Sequence, residues 1–198
     1  MDRPCPVNHA RIASLGCGTD LSFERLQRGH DPGTLRFHSS DQRCVGAFGS
    51  RSVGGQERRH CCGTLLGVGT YLKEQNPDVK IFAVEPPAGE TVEGLRNLDD
   101  GYIPPVFDKW GGFDLLDGKS IVRPRESLEY TRKMAEVGIF SGISAGAALA
   151  GACKVANRID EGVIVYIVCD SGWKYLSTGA WTLDLDEAAA NAEKVIYF

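Results

Sequence analysis

Lysine is absent from the first 62 residues of this 198-residue chain, although arginine is frequent there. Nine arginines against six acidic residues give this segment a formal charge of +3, whereas residues 63–198 carry −7. The segment also holds all four histidines and five of the seven cysteines. It has no sustained period of 2 or 3.6, the repeats that indicate strands and helices. Two different compositions therefore meet near Cys61 and Cys62.

Long apolar runs are missing as well, since none approaches the ~20 residues of a membrane span. The sequence begins without a charged start followed by an apolar stretch, so we expect no secretory signal peptide. A net charge of −4 argues against a general binder of nucleic acid or anionic membranes. With 42% hydrophobic and 24% charged residues, the composition is typical of a globular domain. We expect a cytoplasmic protein.

Three explanations of residues 1–62 stay open. The segment is a disordered or loosely folded leader, a metal-binding segment, or sequence read out of its original frame. No C-x-x-C occurs, and the spacings match no standard zinc pattern. The abrupt change from arginine-rich, lysine-free sequence to patterned sequence favours the frame change. The residues that a metal site would use are the four histidines with Cys5, Cys17, Cys44, Cys61 and Cys62.

From Gly63 onwards, apolar periodicity and chain breakers indicate alternating helices and strands, an α/β signature. The predicted elements are helices over 63–75, 126–137 and 144–158, strands over 79–85, 121–122 and 163–169, and an alanine-rich helix in the tail. Asn76 and Pro77 stop the first helix, because proline cannot continue it. Residues 88–119 have no regular pattern, and a loop of this length in a compact domain is usually functional or mobile.

The central stretch is residues 142–150, which read Gly-Ile-Ser-Ala-Gly-Ala-Ala-Leu-Ala. Ser144 is a favoured N-cap residue, and the small residues after it would let a helix lie close to a sheet or a cofactor. The alternative is a tightly packed helix with no ligand. A second candidate is the turn at Asp170 and Ser171 after the last strand, because open α/β sheets bind ligands at the carboxyl ends of strands.

Five motifs in order resemble one family. They are Gly63-Thr64-Leu65, Ala83-Val84-Glu85-Pro86, Gly94-Leu95-Arg96 with Gly101-Tyr102-Ile103-Pro104, the stretch 138–148, and Lys174-Tyr175-Leu176-Ser177-Thr178. Residues 63–198 thereby resemble the carboxyl-terminal part of a cysteine synthase (O-acetylserine sulfhydrylase), close to the cystathionine β-synthase core. The resemblance implies an α/β fold of the tryptophan-synthase-β type, with a mostly parallel sheet flanked by helices. It makes 63–198 a cysteine synthase-like domain that follows the atypical segment 1–62.

The resemblance also implies pyridoxal 5'-phosphate (PLP) as cofactor. The implied reaction is β-replacement on a small amino-acid substrate, O-acetylserine or O-phosphoserine, with sulfide as the incoming group in cysteine biosynthesis. Such chemistry uses the cofactor as electron sink, while the protein supplies position and electrostatics. No nucleic-acid or membrane partner is expected.

The motifs carry family roles onto particular residues. Ser144 matches the serine that hydrogen-bonds the pyridine nitrogen. Gly63 and Thr64 match the last two residues of a glycine-rich phosphate loop, which binds through backbone N–H groups and a helix N-terminus. The first three positions of this Gly-Thr-Gly-Gly-Thr loop read His60, Cys61 and Cys62 here. His60 and Cys62 stand at glycine positions, so we expect their side chains to crowd the approach of the backbone to the phosphate.

Two further positions match a loop that faces the substrate. Gly94 belongs to this loop, and Arg96 resembles an arginine that binds an anionic leaving group such as phosphate. The alternative for Arg96 is a solvated loop charge. Asp170 and Ser171 match a loop near the cofactor ring, or are a simple turn at the end of a strand.

The family's Schiff-base lysine lies in the amino-terminal part of such enzymes. Residues 1–62 contain no lysine, and the eight later lysines match no such site, although Lys174 lies near a motif. We therefore assign no catalytic residue and no metal ligand, and we expect the chain alone to be inactive. Two alternatives stay open: a non-catalytic module that forms a homodimer or pairs with an intact relative, and a truncated remnant that folds poorly.

Overall fold

The computed structural model describes residues 9–15, 44–49, 62–101 and 103–192. The strands in these ranges are β1 (His9–Leu15), β2 (Cys44–Gly49), β3 (Lys80–Glu85), β4 (Gly118–Ile121) and β5 (Glu161–Ile167). The helices are α1 (Gly63–Gln75), α2 (Pro105–Lys109), α3 (Gly112–Leu115), α4 (Pro124–Glu136), α5 (Ile143–Ala156) and α6 (Leu185–Ala192), with a 3₁₀ helix over Gly172–Thr178.

The described strands form one parallel sheet in the order β1-β5-β2-β3-β4. Strand β2 lies at its centre, since Val45 pairs with Ile164 of β5 on one side and with Lys80 of β3 on the other. Parallel sheets are normally covered on both faces, because the crossover helices pack there. This arrangement confirms the expected α/β class.

Helices α1 and α5 cover opposite faces of the sheet. On one face, Leu65 and Leu66 of α1 form an apolar cluster with Ile81 and Ala83 of β3. On the other face, α5 packs against the sheet and α4 packs against α5. Every residue of α5 except Lys154 is buried, as a helix between two layers requires. The alanines and glycines of α5 allow this close double packing.

The structure confirms several sequence predictions and corrects others. Helix α1 has the predicted bounds, α4 runs from Pro124 to Glu136 where 126–137 was predicted, and the alanine-rich tail forms α6. The stretch 88–119 was predicted to be irregular, but it contains α2 and α3 and the start of β4. Strand β4 begins three residues before the predicted 121–122 and ends at Ile121. Strand β5 begins two residues before the predicted 163 and ends two residues before the predicted 169.

Two strands lie in residues 1–62, where the sequence pattern predicted none. Six of the residues that a metal site in this segment would use lie outside the described residues: Cys5, Cys17, His30, His38, His60 and Cys61. Within the described ranges, no group of three or more His, Cys, Asp or Glu side chains is placed to hold a metal ion. Among the helices that the structure describes, none is both long enough and apolar enough to cross a membrane.

Candidate functional site

The carboxyl ends of the parallel strands form one edge of the sheet, and the N-termini of α1 and α5 lie at this edge. Helix α1 leads into β3 and α5 leads into β5, so each helix runs back along the sheet before its strand begins. A hydrogen bond fixes the start of α5 at this edge, because the N–H of Gly142 donates to the carbonyl of Asp170, just beyond β5, at 3.0 Å. Open α/β sheets bind their ligands at such an edge.

Ser144 is the second residue of α5 and is only 6% exposed. The sequence suggested Ser144 as the N-cap, but the N-cap residue is Gly142, whose backbone is extended, and no side chain caps this helix. Among the described residues, no hydrogen bond to the Ser144 hydroxyl is found. Buried hydroxyls are normally hydrogen-bonded, so this one is available to a ligand.

The turn after β5 closes over the start of α5. The hydroxyl of Tyr175 donates to Asp170 Oδ2 at 2.8 Å, and Lys174 Nζ lies 3.2 Å from the same oxygen. A Cβ atom at Gly142 would overlap both the Asp170 carboxylate and the Tyr175 ring. Because Gly142 has no side chain, Asp170 and Tyr175 can pack against its backbone, two residues before Ser144.

The first turn of α1 exposes backbone donors. No side chain caps this helix, and Gly63 and Thr64 are both exposed. The first N–H groups of a helix have no partner within the helix, so they favour an anion. The N-cap residue, Cys62, has φ 80°, a left-handed conformation that favours glycine. The glycine requirement predicted for this loop is thus visible at Cys62, while His60, at the other glycine position, lies outside the described residues.

The loop after β3, residues 86–101, crosses from one face of the sheet to the other. Leu95 joins the apolar cluster of α5, whereas Leu98 joins the cluster of α1. Arg96 lies between these two anchors and is partly exposed. Gly94, just before them, has φ 82°, so the backbone turns there in a conformation that glycine adopts easily. Because it follows the carboxyl end of β3, the loop thereby holds the backbone of Arg96 at the carboxyl edge of the sheet.

The sequence-predicted residues thus collect at one edge. Three others were missed: Glu85, Lys119 and Tyr175. Glu85 is a buried carboxylate, 1% exposed, at the end of β3. A sequence signal for it existed, since a single acidic residue ends an apolar strand just before two prolines. Lys119 had no such signal, because its partners Glu85 and Asp99 lie in distant segments. Tyr175 stood in the fifth motif, but no role was assigned to it.

The fold and these groups define an α/β domain whose candidate site lies at the carboxyl edge of the sheet. Residues 61–170 match the family of pyridoxal-phosphate dependent enzymes, and the chain belongs to this family. The cofactor of the family is PLP. The cysteine synthase and cystathionine β-synthase resemblance read from the five motifs is confirmed by the relatives described next.

Cysteine synthase B of Pseudomonas aeruginosa is 36% identical over 120 residues, which make up 60% of this chain and 39% of the relative. Cysteine synthase B of Escherichia coli is also 36% identical over 120 residues, or 60% of this chain and 38% of the relative. The chain therefore spans about two fifths of the length of these curated relatives.

Solved structures agree with the fold. The O-acetylserine dependent cystathionine β-synthase from Helicobacter pylori matches with a TM-score of 0.56 at 30% identity, over 70% of this chain and 44% of that chain. O-ureido-L-serine synthase matches with a TM-score of 0.55 at 28% identity, over 71% of this chain and 42% of that chain. The expected α/β fold of the tryptophan-synthase-β type is thereby confirmed.

The described residues fit PLP at two of its groups. The buried Ser144 hydroxyl suits the neutral pyridine nitrogen, and the uncapped start of α1 suits the phosphate. A hydroxyl, unlike a carboxylate, has no negative charge that would hold a proton on the ring nitrogen. At the phosphate position the fit is less good at Cys62, whose left-handed backbone glycine would adopt more easily.

Proposed function

We propose that this chain forms the pyridine-binding and phosphate-binding part of a cysteine synthase-type enzyme. The reaction proposed is β-replacement, in which an activated serine loses its β-substituent and gains sulfide. The observation that carries the proposal is the Ser144 hydroxyl, nine-tenths buried at the start of α5 and without a hydrogen bond in the described structure. The names of the relatives, cysteine synthase B and O-acetylserine dependent cystathionine β-synthase, support the reaction class.

Each proposed role follows from position. When bound, PLP supplies an electron sink for the negative charge that develops on the substrate carbon. Ser144 holds the ring nitrogen through a hydrogen bond, and Gly63 and Thr64 bind the phosphate through N–H groups of the first turn of α1. Arg96 and the backbone turn at Gly94 bind the substrate, with the guanidinium placed for an anionic leaving group.

We also propose that the chain does not turn over by itself. Residues 1–62 contain no lysine, and a lysine is the nucleophile on which PLP chemistry depends. Six lysines of the described residues are already paired with carboxylates, which are Lys73, Lys80, Lys119, Lys133, Lys154 and Lys174. Lys174, in the turn that follows β5, is paired with Asp170.

The test is a PLP titration of the purified chain, followed by visible absorbance, with Ser144→Ala and the matched control Ser177→Ala. Ser177 is an exposed serine on the 3₁₀ helix. We expect Ser144→Ala to weaken PLP binding by roughly five- to tenfold, the value of one buried hydrogen bond. Ser177→Ala should bind like the wild type. Equal binding by all three proteins would overturn the role of Ser144.

Borohydride treatment of the PLP-loaded chain, with peptide mapping by mass spectrometry, tests the second part. We expect no lysine to carry the reduced cofactor. A labelled lysine would overturn the proposal that the chain lacks an anchor, and the labelled peptide would identify that residue. Lys174→Met, measured in parallel, separates labelling at the 3₁₀ helix from labelling elsewhere.

A further inference from the structure

Glu85 is a buried carboxylate that none of the proposed steps uses. It ends β3 and is 1% exposed. Its Oε2 accepts a hydrogen bond from the backbone N–H of Leu98 at 3.0 Å, and its Oε1 lies 3.3 Å from Lys119 Nζ. A buried ion pair is often no more stabilising than an apolar pair of the same volume, because both charges are desolvated. The contacts of Glu85 with Leu98 and Lys119 therefore fix the geometry of the loop more than they add stability.

Lys119 extends this contact to the loop. It belongs to β4, the strand beside β3, and its ammonium also lies 2.9 Å from both carboxylate oxygens of Asp99. Burial alone would lower the pKa of Lys119, but the hydrogen bond that Lys119 donates to Asp99 and the charge of Glu85 outweigh it and raise that pKa. Lys119 thus stays charged at neutral pH, and it joins the loop to two strands.

Asn97 fixes the same segment from inside the loop. It is 4% exposed, and its Nδ2 donates to the carbonyl of Pro86 at 2.8 Å. Its Oδ1 accepts from the backbone N–H of Asp99 at 2.7 Å. Residues 97–99, directly after Arg96, are therefore each held by a hydrogen bond.

The residues before Arg96 are held by burial. Leu95 is 4% exposed and its N–H donates to the carbonyl of Val92, which is also buried. Along residues 94–98, Arg96 is the one position that is not fully buried. The surrounding contacts therefore fix the backbone of Arg96 from both sides.

We propose that Glu85, Lys119 and Asp99 form a positioning unit that sets the orientation of Arg96 and thereby the affinity for a substrate with an anionic leaving group. This inference rests on the proposed function, in which Arg96 binds that group. The unit does not touch the substrate; it acts through the loop. O-phospho-L-serine is the suitable probe, because its phosphate matches a guanidinium, and O-acetyl-L-serine is the neutral comparison.

The test uses two substitutions of opposite charge. Asp99→Asn removes a negative charge from an exposed side chain, and Lys119→Met removes a positive charge. Charge alone predicts opposite effects on O-phosphoserine binding, tighter for the first and weaker for the second. Positioning predicts that both weaken it. We expect a loss of roughly three- to tenfold for each variant by calorimetry on the PLP-loaded chain, with little change for O-acetylserine.

Matched controls are available in the chain. Asp100→Asn makes the same charge change one residue further along the loop, at another exposed aspartate. Lys133→Met removes a lysine that pairs with Glu129 on the exposed side of α4. Both controls should bind O-phosphoserine like the wild type, and Lys119→Arg should restore most of the affinity that Lys119→Met loses.

The outcomes separate this inference from the proposed function. If Arg96→Ala binds O-phosphoserine as tightly as the wild type, or if the wild type does not bind it, the role of Arg96 fails and the inference fails with it. If Arg96→Ala is weakened but Asp99→Asn matches Asp100→Asn, only the positioning unit is overturned.

Amide hydrogen exchange at Leu98 and Asp99 gives a readout without ligand. Faster exchange in Lys119→Met than in Lys133→Met is expected, and equal exchange would contradict the unit.

Discussion

At the scale of single residues, the site depends on where a side chain is missing. Gly142 is such a position, because its backbone N–H bonds to the carbonyl of Asp170 while the Asp170 carboxylate and the Tyr175 ring occupy the space of a Cβ atom. Ser144 follows two residues later. Any shift at Gly142 would therefore move the hydroxyl that we assign to the cofactor ring.

Gly142→Ala should destabilise the chain by about 1–3 kcal/mol, the usual range for forcing a group into a packed core. The control is Gly67→Ala in the middle of α1, where a Cβ atom would meet no other atom within 4 Å. That change should stabilise the chain by about 0.5–1 kcal/mol, because alanine favours a helix over glycine. Urea unfolding measures both, and destabilisation of similar size in the two variants would contradict the packing argument.

At the scale of elements, one carboxylate connects α1, β3 and the start of β4. Asp117 Oδ2 accepts from the backbone N–H of Ile81 at 2.8 Å and lies 2.9 Å from Lys73 Nζ at the end of α1. Its Oδ1 lies 3.1 Å from Lys80 Nζ. Burial by itself would raise the pKa of Asp117, but these hydrogen bonds and the charge of Lys73 hold that pKa below its usual value.

Asp117→Asn should therefore lower the free energy of unfolding at pH 7 by about 2 kcal/mol, the range for hydrogen bonds to a charged group. A lowered pKa makes this contribution fully present above the unfolded pKa of about 3.9, and it is lost as the pH falls through the folded pKa. The difference between wild type and variant should shrink from pH 7 to pH 3. Urea unfolding at both pH values checks it, with the exposed Asp78→Asn as control. A difference that does not depend on pH would rule out ionisation as its cause.

Elements with a chemical start or stop were predictable from the sequence. Asn76 and Pro77 end α1, and Pro124 begins α4, which Gly138 terminates with φ 88°. Strand β2 was not predicted, because it is short and contains two glycines, which weaken the signal of a strand. Its pairing with β3 and β5 comes from the whole sheet and cannot be read from six residues.

In the candidate site, too, some residues were predictable from the sequence and others were not. Ser144, Gly63 and Arg96 were nominated by motifs, because each stands in a local run with a recognisable pattern. The contact of Glu85 with Lys119 and the bond from Tyr175 to Asp170 could not be predicted, since such pairs form only after the strands and turns are in place. Local sequence therefore identified the groups proposed to touch ligand, and the structure added those that hold them.

At the scale of the whole molecule, the strand order bears on the domain boundary that composition placed at residue 62. The boundary predicts that residues 63–198 form a domain of their own. In the sheet, however, β2 lies between β5 and β3, and its register joins Cys44 to Val163 and Gly46 to Ile81. Without β2, the two halves of the sheet would share no strand ladder. Strand β1 differs, because it lies at the edge and pairs with β5 alone.

Two shortened chains test which boundary holds. Residues 16–198 lack only the edge strand β1, so this fragment should unfold cooperatively in urea at a lower midpoint than the full chain. Residues 50–198 also lack β2, which leaves unpaired N–H and C=O groups along both β3 and β5 in the middle of the sheet. Such groups are costly when buried, so we expect the shorter fragment to show no cooperative transition and to aggregate. Circular dichroism during the same titrations follows the loss of structure. A cooperative transition of 50–198 at the midpoint of the full chain would mean that β2 is dispensable and that composition had placed the boundary correctly.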